Sequence, residues 1–211
     1  MSVICIMGES GSGKTTAMRN LDPKTTYYVD ADLKGMSWKG WKAQYNKEAK
    51  NYTATDDPRA ALALLAAINE KSKVVKTVVI DTINGLMVAE EMRRSQEKGY
   101  DKWTDLATFV WNIITYALKC REDLDIIFLA HSQTDRDDNG NIWTRIKTSG
   151  RKLDKIVLES KFSTVLLCRS EGDKHWFETT ANFSTAKSPL GALPEKMDND
   201  IVPVLAALKD Y

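Results

Sequence analysis

With 211 residues the chain is long enough for one domain with a sizeable core, or one domain with a small appendage. A hydrophobic content of 43% and a charged content of 28% are ordinary for a soluble globular protein. The net charge of +1 excludes a global field drawing the molecule to nucleic acid or membrane, so any basic patch must be local.

The chain opens on MSVICIMGES, an apolar run with no preceding basic segment and no small-residue cleavage site, which predicts a strand over 3–7 rather than a signal peptide. Further apolar, β-rich runs follow at 26–29, 74–80, 126–130 and 164–168. They are continuous rather than alternating, as expected of strands covered on both faces. Helical stretches are predicted between them at 14–20, 58–71, 85–98, 106–121 and 150–161. Pro58, preceded by Asp56 and Asp57, is well placed to open a helix.

Two segments lack periodicity: 32–51, rich in Lys, Gly and Trp, and 134–149, a polar stretch reading as a hairpin tip or mobile loop. The tail from 188 carries prolines and an apolar helical stretch over 201–208. Strands alternating with helices predict an α/β fold, a mostly parallel central sheet flanked by helices. Its core is expected over 1–195, with 196–211 a helical tail packed on it or extending from it. Cys5, Cys120 and Cys168 lack metal-ligand spacing and read as reduced, buried thiols of a cytoplasmic protein. No apolar run approaches the roughly 20 residues that span a bilayer, so no membrane partner is expected.

Gly8, Glu9, Ser10, Gly11, Ser12, Gly13, Lys14 and Thr15 match G-x-x-x-x-G-K-[ST] without a mismatch, between a strand and a helix-like stretch. Glycines in such a loop let backbone N–H groups converge on phosphates, and a helix N-terminus adds its dipole. Lys14 would place a point charge on the β and γ phosphates of ATP, the Thr15 hydroxyl would reach Mg2+, and Thr16 closes the nucleotide-binding set. Asp81, ending an apolar strand, is the second expected magnesium-side residue.

Hydrolysis also needs a group that orients or deprotonates water. Thr82 follows Asp81, so no glutamate stands there. Asp30 and Asp32 leave a strand end on one face, and Asp32, further out, is the expected water-activating residue. His131, at the end of the fourth strand, is the expected γ-phosphate sensor, with Gln133 as the lesser candidate.

On these residues the chain resembles the RecA-like P-loop ATPases. The likeness is greatest to the small phage-encoded branch, which includes single-strand annealing proteins of the Sak type and phage AAA-domain nucleotide-binding proteins. Residues 28–32 resemble the family's strand ending in a catalytic acid, usually Glu, and 79–82 its Walker B strand. Residues 127–131 are similar to its sensor strand, and 134–149 fall where the family keeps a mobile DNA-binding loop. Residues 149–153 look like the start of the following helix. Tyr100, Lys102 and Trp103, with 187–195, look like the small phage proteins. The resemblance covers about residues 1–195. It implies a magnesium-dependent, DNA-stimulated ATPase of phage recombination or replication that promotes annealing or strand pairing in the bacterial host cytoplasm. It also implies a ring or filament with nucleotide between subunits, and a single-strand-binding protein as a further partner.

Arg136, Arg145, Lys147, Arg151, Lys152 and Lys155, with Trp143 among them, combine cations for phosphates with an aromatic for an unpaired base. They are the expected single-stranded DNA contacts, and Lys147, Arg151 or Lys152 the expected residue completing a neighbour's site. Residues 34–50, with Trp38, Trp41 and Tyr45, form a second aromatic and basic surface, equally readable as a subunit interface or packing. Two alternatives stand beside this reading: a P-loop nucleotide or small-molecule kinase, and a helicase-loader-like assembly ATPase.

Overall fold

The computed structural model of the chain describes residues 1–97, 101–136, 140–148 and 157–210. Its strands are β1 (Val3–Gly8), β2 (Thr26–Asp30), β3 (Tyr52–Ala54), β4 (Thr77–Asp81), β5 (Asp125–Arg136), β6 (Ile142–Ile146), β7 (Thr164–Glu171), β8 (Lys174–Glu178) and β9 (Lys196–Asp198). Its α-helices are α1 (Trp41–Gln44), α2 (Pro58–Lys71), α3 (Ile83–Arg93), α4 (Asp101–Ala117) and α5 (Ile201–Ala207). Among the described residues one sheet runs in the order β3-β2-β4-β5-β1-β7-β8-β9, with β6 paired to β5. From β3 to β7 the neighbours are parallel, and β8, β9 and β6 add antiparallel edges.

The continuous apolar strands are buried on both faces because both faces are covered. Cys5, Met7, Ile80 and Phe128 face a core shared with Leu65 of α2, Met87 of α3 and Ile113 of α4. Ile4, Ile6, Val79 and Leu129 face a second core closed by Met18, Tyr45 and, from α5, Ile201 and Val204. Each such side chain contributes about 1.5–3 kcal/mol relative to exposure. Helix starts are fixed locally. Asp57 accepts the Arg59 N–H and precedes Pro58, and Asp200 accepts the Val202 N–H. Thr82 caps α3 by accepting the Gly85 N–H, so this helix begins at Ile83, two residues before the predicted start.

One predicted element is corrected. The helix expected at 14–20 is a single short 3-10 turn, Thr16–Met18. Adjacent β-branched Thr15 and Thr16 open it, and Pro23, which disfavours helix at the residue before it, stands just beyond. Phosphates at this loop would therefore meet the loop amides rather than a long helix dipole. The polar stretch over 134–149, read as a hairpin tip or mobile loop, is largely a hairpin. β5 runs on past His131 to Arg136 and pairs with β6, placing Gln133 opposite Arg145 and Asp135 opposite Trp143. The helix expected at 150–161 falls mostly outside the described residues, within which Leu158–Lys161 is a 3-10 turn.

Register gathers the site. β5 lies between β1 and β4, with Gly8 opposite His131 and Asp81 opposite Leu129. Asp30 is opposite Asp81 on the other side. The expected phosphate loop, metal carboxylate, water-activating residue and sensor thus share the carboxyl edge of four adjacent strands, where open α/β sheets bind ligands.

Candidate nucleotide site

The loop from Gly8 to Thr16 joins the end of β1 to the 3-10 turn. Gly13 has φ +99°, and a Cβ there would lie 3.0 Å from His175 Nδ1 and 3.2 Å from the Asn199 side chain. Only glycine satisfies both the left-handed backbone and this packing. The loop is backed from below: Cys168 Sγ donates to the Ser12 carbonyl at 3.0 Å, and His175 Nδ1 meets the same oxygen at 2.9 Å. Asn199 Nδ2 in turn donates to Cys168 Sγ at 3.2 Å. Lys14 Nζ donates to the carbonyls of Gly8 and Glu9, at 2.8 and 2.7 Å. Burial lowers the Lys14 pKa, against the pull of Cys168 and Asp81. A buried ammonium drawn in over its own loop is ready to exchange carbonyl partners for phosphate oxygens.

Asp81 Oδ2 accepts two hydroxyls, Thr15 Oγ1 at 2.7 Å and Tyr28 OH at 2.6 Å. Its other oxygen, Oδ1, is buried and has no hydrogen-bond partner among the described residues. Burial raises the Asp81 pKa, while Tyr28 and Thr15 pull it down. A buried carboxylate with an orphaned oxygen costs free energy unless something meets it. Hard oxygen donors beside a phosphate loop suit Mg2+, so Thr15 and Asp81 fit the metal expected of them.

Asp32, whose backbone N–H donates to the Asp81 carbonyl at 3.3 Å, is tied by Thr82 Oγ1 to Oδ1 at 2.8 Å and by Lys34 Nζ to Oδ2 at 2.5 Å. Burial would raise its pKa, but these two bonds outweigh burial and hold the carboxyl below its ordinary value. α3 approaches so closely that a Cβ on Gly85 would stand 2.4 Å from Asp32 Oδ1. Asp30 does not share this face as a second candidate. Its Oδ2 accepts the Gly35 N–H at 2.7 Å and the Tyr52 hydroxyl at 2.8 Å, pinning the turn after β2.

His131 joins Asp32, Asn84, Gly85 and Val88 around a pocket of about 380 Å³. Burial, then the Lys14 charge, lowers the His131 pKa, so the ring is neutral near pH 7. Gln133 is further along the strand and donates to Asp135 at 3.2 Å, which turns it towards the hairpin.

The alternation of the hairpin puts His131, Gln133, Asp135, Trp143, Arg145 and Lys147 on one face. Arg136 and Lys147 are exposed, and Trp143 is 45% exposed. Arg145 Nε is paired with Asp135 Oδ2 at 2.5 Å. Arg151, Lys152, Lys155 and Tyr100 lie outside the described residues. The second aromatic surface resolves into packing at its centre. Tyr45 is buried, and Tyr28, Trp38 and Tyr45 meet edge-on with centroids 5.7–6.5 Å apart.

Sequence reasoning missed Tyr28, Lys34, Asn84, Cys168, His175 and Asn199. Tyr28 carried a signal, since it alternates with Asp30 on a strand adjoining the Asp81 strand. Asn84 carried one too, as a polar residue in the first turn after that strand. His175 and Asn199 approach the loop from distant segments, and no local pattern marks them.

A family model described as an AAA domain matches residues 2–189. No curated protein matches the chain. Among solved structures it is similar to a KaiC-like protein from the hyperthermophilic archaeon Pyrococcus horikoshii OT3. The identity is 12% and the TM-score 0.47, over 83% of this chain and 76% of that one. Among the described residues no helix is long and apolar enough to cross a membrane.

Proposed function

Because this chain belongs to the AAA-domain family, as a P-loop ATPase, we propose that it hydrolyses magnesium-bound ATP at the loop Gly8–Thr16 and binds single-stranded DNA on its hairpin. The observation that carries the nucleotide half is the Asp81 carboxylate. Two hydroxyls hold one of its oxygens, and the other is buried beside the loop with no hydrogen-bond partner among the described residues.

In this reading the loop amides and Lys14 bind the β and γ phosphates. Mg2+, held by Thr15 and Asp81, supplies charge neutralisation when bound. Asp32 accepts a hydrogen bond from the attacking water and aligns it. The water oxygen bonds to the γ-phosphorus as the bond to the β–γ bridging oxygen breaks. That electron pair leaves with ADP, and the water's proton passes to Asp32 or a phosphate oxygen. His131 faces the same pocket as Asp32 and donates its ring N–H to a γ-phosphate oxygen. The most direct test is phosphate release with and without single-stranded DNA, together with the oligomer's mass. Turnover surviving removal of Mg2+ by a chelator would overturn the site.

The DNA half rests on exposed Trp143 and Lys147, which share one face of a hairpin whose root abuts His131, with exposed Arg136 on the opposite face. An aromatic to stack on an unpaired base, with cations for the backbone, is the chemistry of single-strand binding. On the resemblance, the physiological setting is annealing or strand pairing in phage recombination. The protein there works as a homo-oligomer with nucleotide between subunits, beside a single-strand-binding protein. Anisotropy with a labelled single-stranded oligonucleotide tests the surface. Trp143→Ala with Lys147→Ala should weaken binding and flatten its salt dependence, and unchanged affinity and slope would remove the hairpin from the DNA site.

A further inference from the structure

We propose that Lys34 is a γ-phosphate-binding cation supplied by the same chain, parked on Asp32 and drawn off it when ATP, but not ADP, occupies the loop. This rests on the reading of Gly8–Thr16 as the nucleotide site.

The turn after β2 is built to present this lysine. Leu33 is a non-glycine residue at φ +57° and is 55% exposed, a left-handed conformation that a leucine rarely adopts. Such strain concentrates at functional sites. The next two backbone amides are fixed from behind: Asp30 accepts the N–H of Gly35 at 2.7 Å and, more weakly, that of Lys34 at 3.4 Å. Asp30 is itself held by Tyr52 OH at 2.8 Å. The backbone is pinned, and the flexible side chain is what can move.

That side chain reaches back from solvent. Lys34 is 50% exposed and Asp32 14% exposed, and their charged atoms are 2.5 Å apart. Lys34 also feels Asp81 and Asp30, while its own charge acts on Lys14 and His131. It therefore belongs electrostatically to the whole site and not to one ion pair. While parked, it engages Asp32 Oδ2 as Thr82 engages Oδ1, so a water at this carboxylate shares an oxygen that already accepts a hydrogen bond, and at Oδ2 it competes with a full positive charge. A γ-phosphate beside Asp32 carries more negative charge than a carboxylate and competes for the ammonium. Transfer of Lys34 to that phosphate would neutralise it and release Asp32 Oδ2 towards water in the same movement. ADP has no γ-phosphate and leaves the pair intact. The device gives ATP selectivity and suppresses idle water activation without a residue from a neighbouring subunit.

The experiment compares full-length wild type, Lys34→Ala and Lys34→Arg, each with Mg2+. A fluorescent non-hydrolysable ATP analogue and the matching fluorescent ADP serve as probes, and thermal melting checks the fold. Lys34→Ala is expected to bind the ATP analogue about 10- to 100-fold more weakly, as for loss of a charge-assisted hydrogen bond. Its ADP affinity should stay within about twofold of wild type, and Lys34→Arg should recover most of the difference. Equal weakening of both probes, or no change in either, would overturn the assignment of Lys34 while leaving the loop as the nucleotide site. A wild-type protein that binds neither probe would overturn the site and this proposal together.

Discussion

Asn84 Oδ1 accepts the backbone N–H of His131 at 2.7 Å, and Asn84 Nδ2 donates to the Lys147 carbonyl at 2.8 Å. Lys147 N–H closes the triangle on the His131 carbonyl at 2.7 Å. One buried amide in the first turn of α3 thus clips that helix to both arms of the hairpin. Asn84→Ala leaves a buried N–H and a carbonyl short of partners, which should cost about 1–3 kcal/mol in urea unfolding. If the clip transmits, the same variant should also reduce the ratio of ATP turnover with and without single-stranded DNA. Because coupling between binding equilibria is reciprocal, it should also reduce the effect of DNA on ATP affinity and the effect of ATP on DNA affinity by one common factor. Intact coupling in a destabilised variant would make Asn84 a structural brace only.

Lys14→Ala separates function from stability. The lysine is buried, and its pKa is lowered chiefly by burial, so its charged form opposes folding. A lowered lysine pKa means a penalty that is present near pH 7 and fades only as pH rises through the folded-state value. Removing the side chain should leave the melting temperature unchanged or raised, while turnover falls about 10²- to 10³-fold. Thermal melting alongside phosphate release checks both. Normal turnover would remove Lys14 from the phosphate site, and a large fall in melting temperature would mean its carbonyl contacts stabilise the loop.

Tyr28→Phe tests how Asp81 is held. The ring keeps its edge-on packing with Trp38 and Tyr45, and only the 2.6 Å bond to Asp81 Oδ2 is lost. Stability should drop by about 1–2 kcal/mol. The Mg2+ concentration giving half-maximal turnover should rise, because the carboxylate loses one of two donors that orient it. Asp81→Asn should go further and abolish turnover at any Mg2+ concentration. An unchanged Mg2+ requirement in Tyr28→Phe would confine the tyrosine to packing.

The central strands and the edge where ligands meet were legible because burial on both faces writes itself as uninterrupted apolar runs. The phosphate loop was legible because its backbone demands fixed spacing. The helix after it was misread because sequence periodicity over seven residues does not separate a full helix from one 3-10 turn. The hairpin was legible only as one of two readings, beside a mobile loop, because Asp135 and Arg145 look like solvated loop charges until register pairs their strands. Lys34 stayed hidden for a different reason: its role depends on a left-handed Leu33, a conformation that leucine's propensity argues against. The loop's supports, His175 and Asn199, are about 160 and 190 residues away in sequence, and only the sheet order brings β8 and the segment after β9 beneath Gly13.

The His131 pKa lies below its ordinary value, first through burial and next through Lys14. For a histidine shifted down, the unfolded chain binds the proton more readily, so stability rises with pH across the window between the two values. The full stability is present above the unfolded value of about 6.5, and part of it is lost as pH falls below that. Asp32, also shifted down, acts in a lower window: its contribution is present above about 3.9 and lost only on further acidification through its folded value. Between pH 7 and 5 the two are therefore separable. Wild type should lose melting temperature over that range, His131→Gln should lose less, and Lys14→Ala should fall between them, since one of the cations depressing His131 is gone. Melting curves at pH 5, 6 and 7 for the three proteins decide it. Parallel pH dependence in wild type and His131→Gln would show that the ring is solvated in both protonation states and is not held neutral against the phosphate loop.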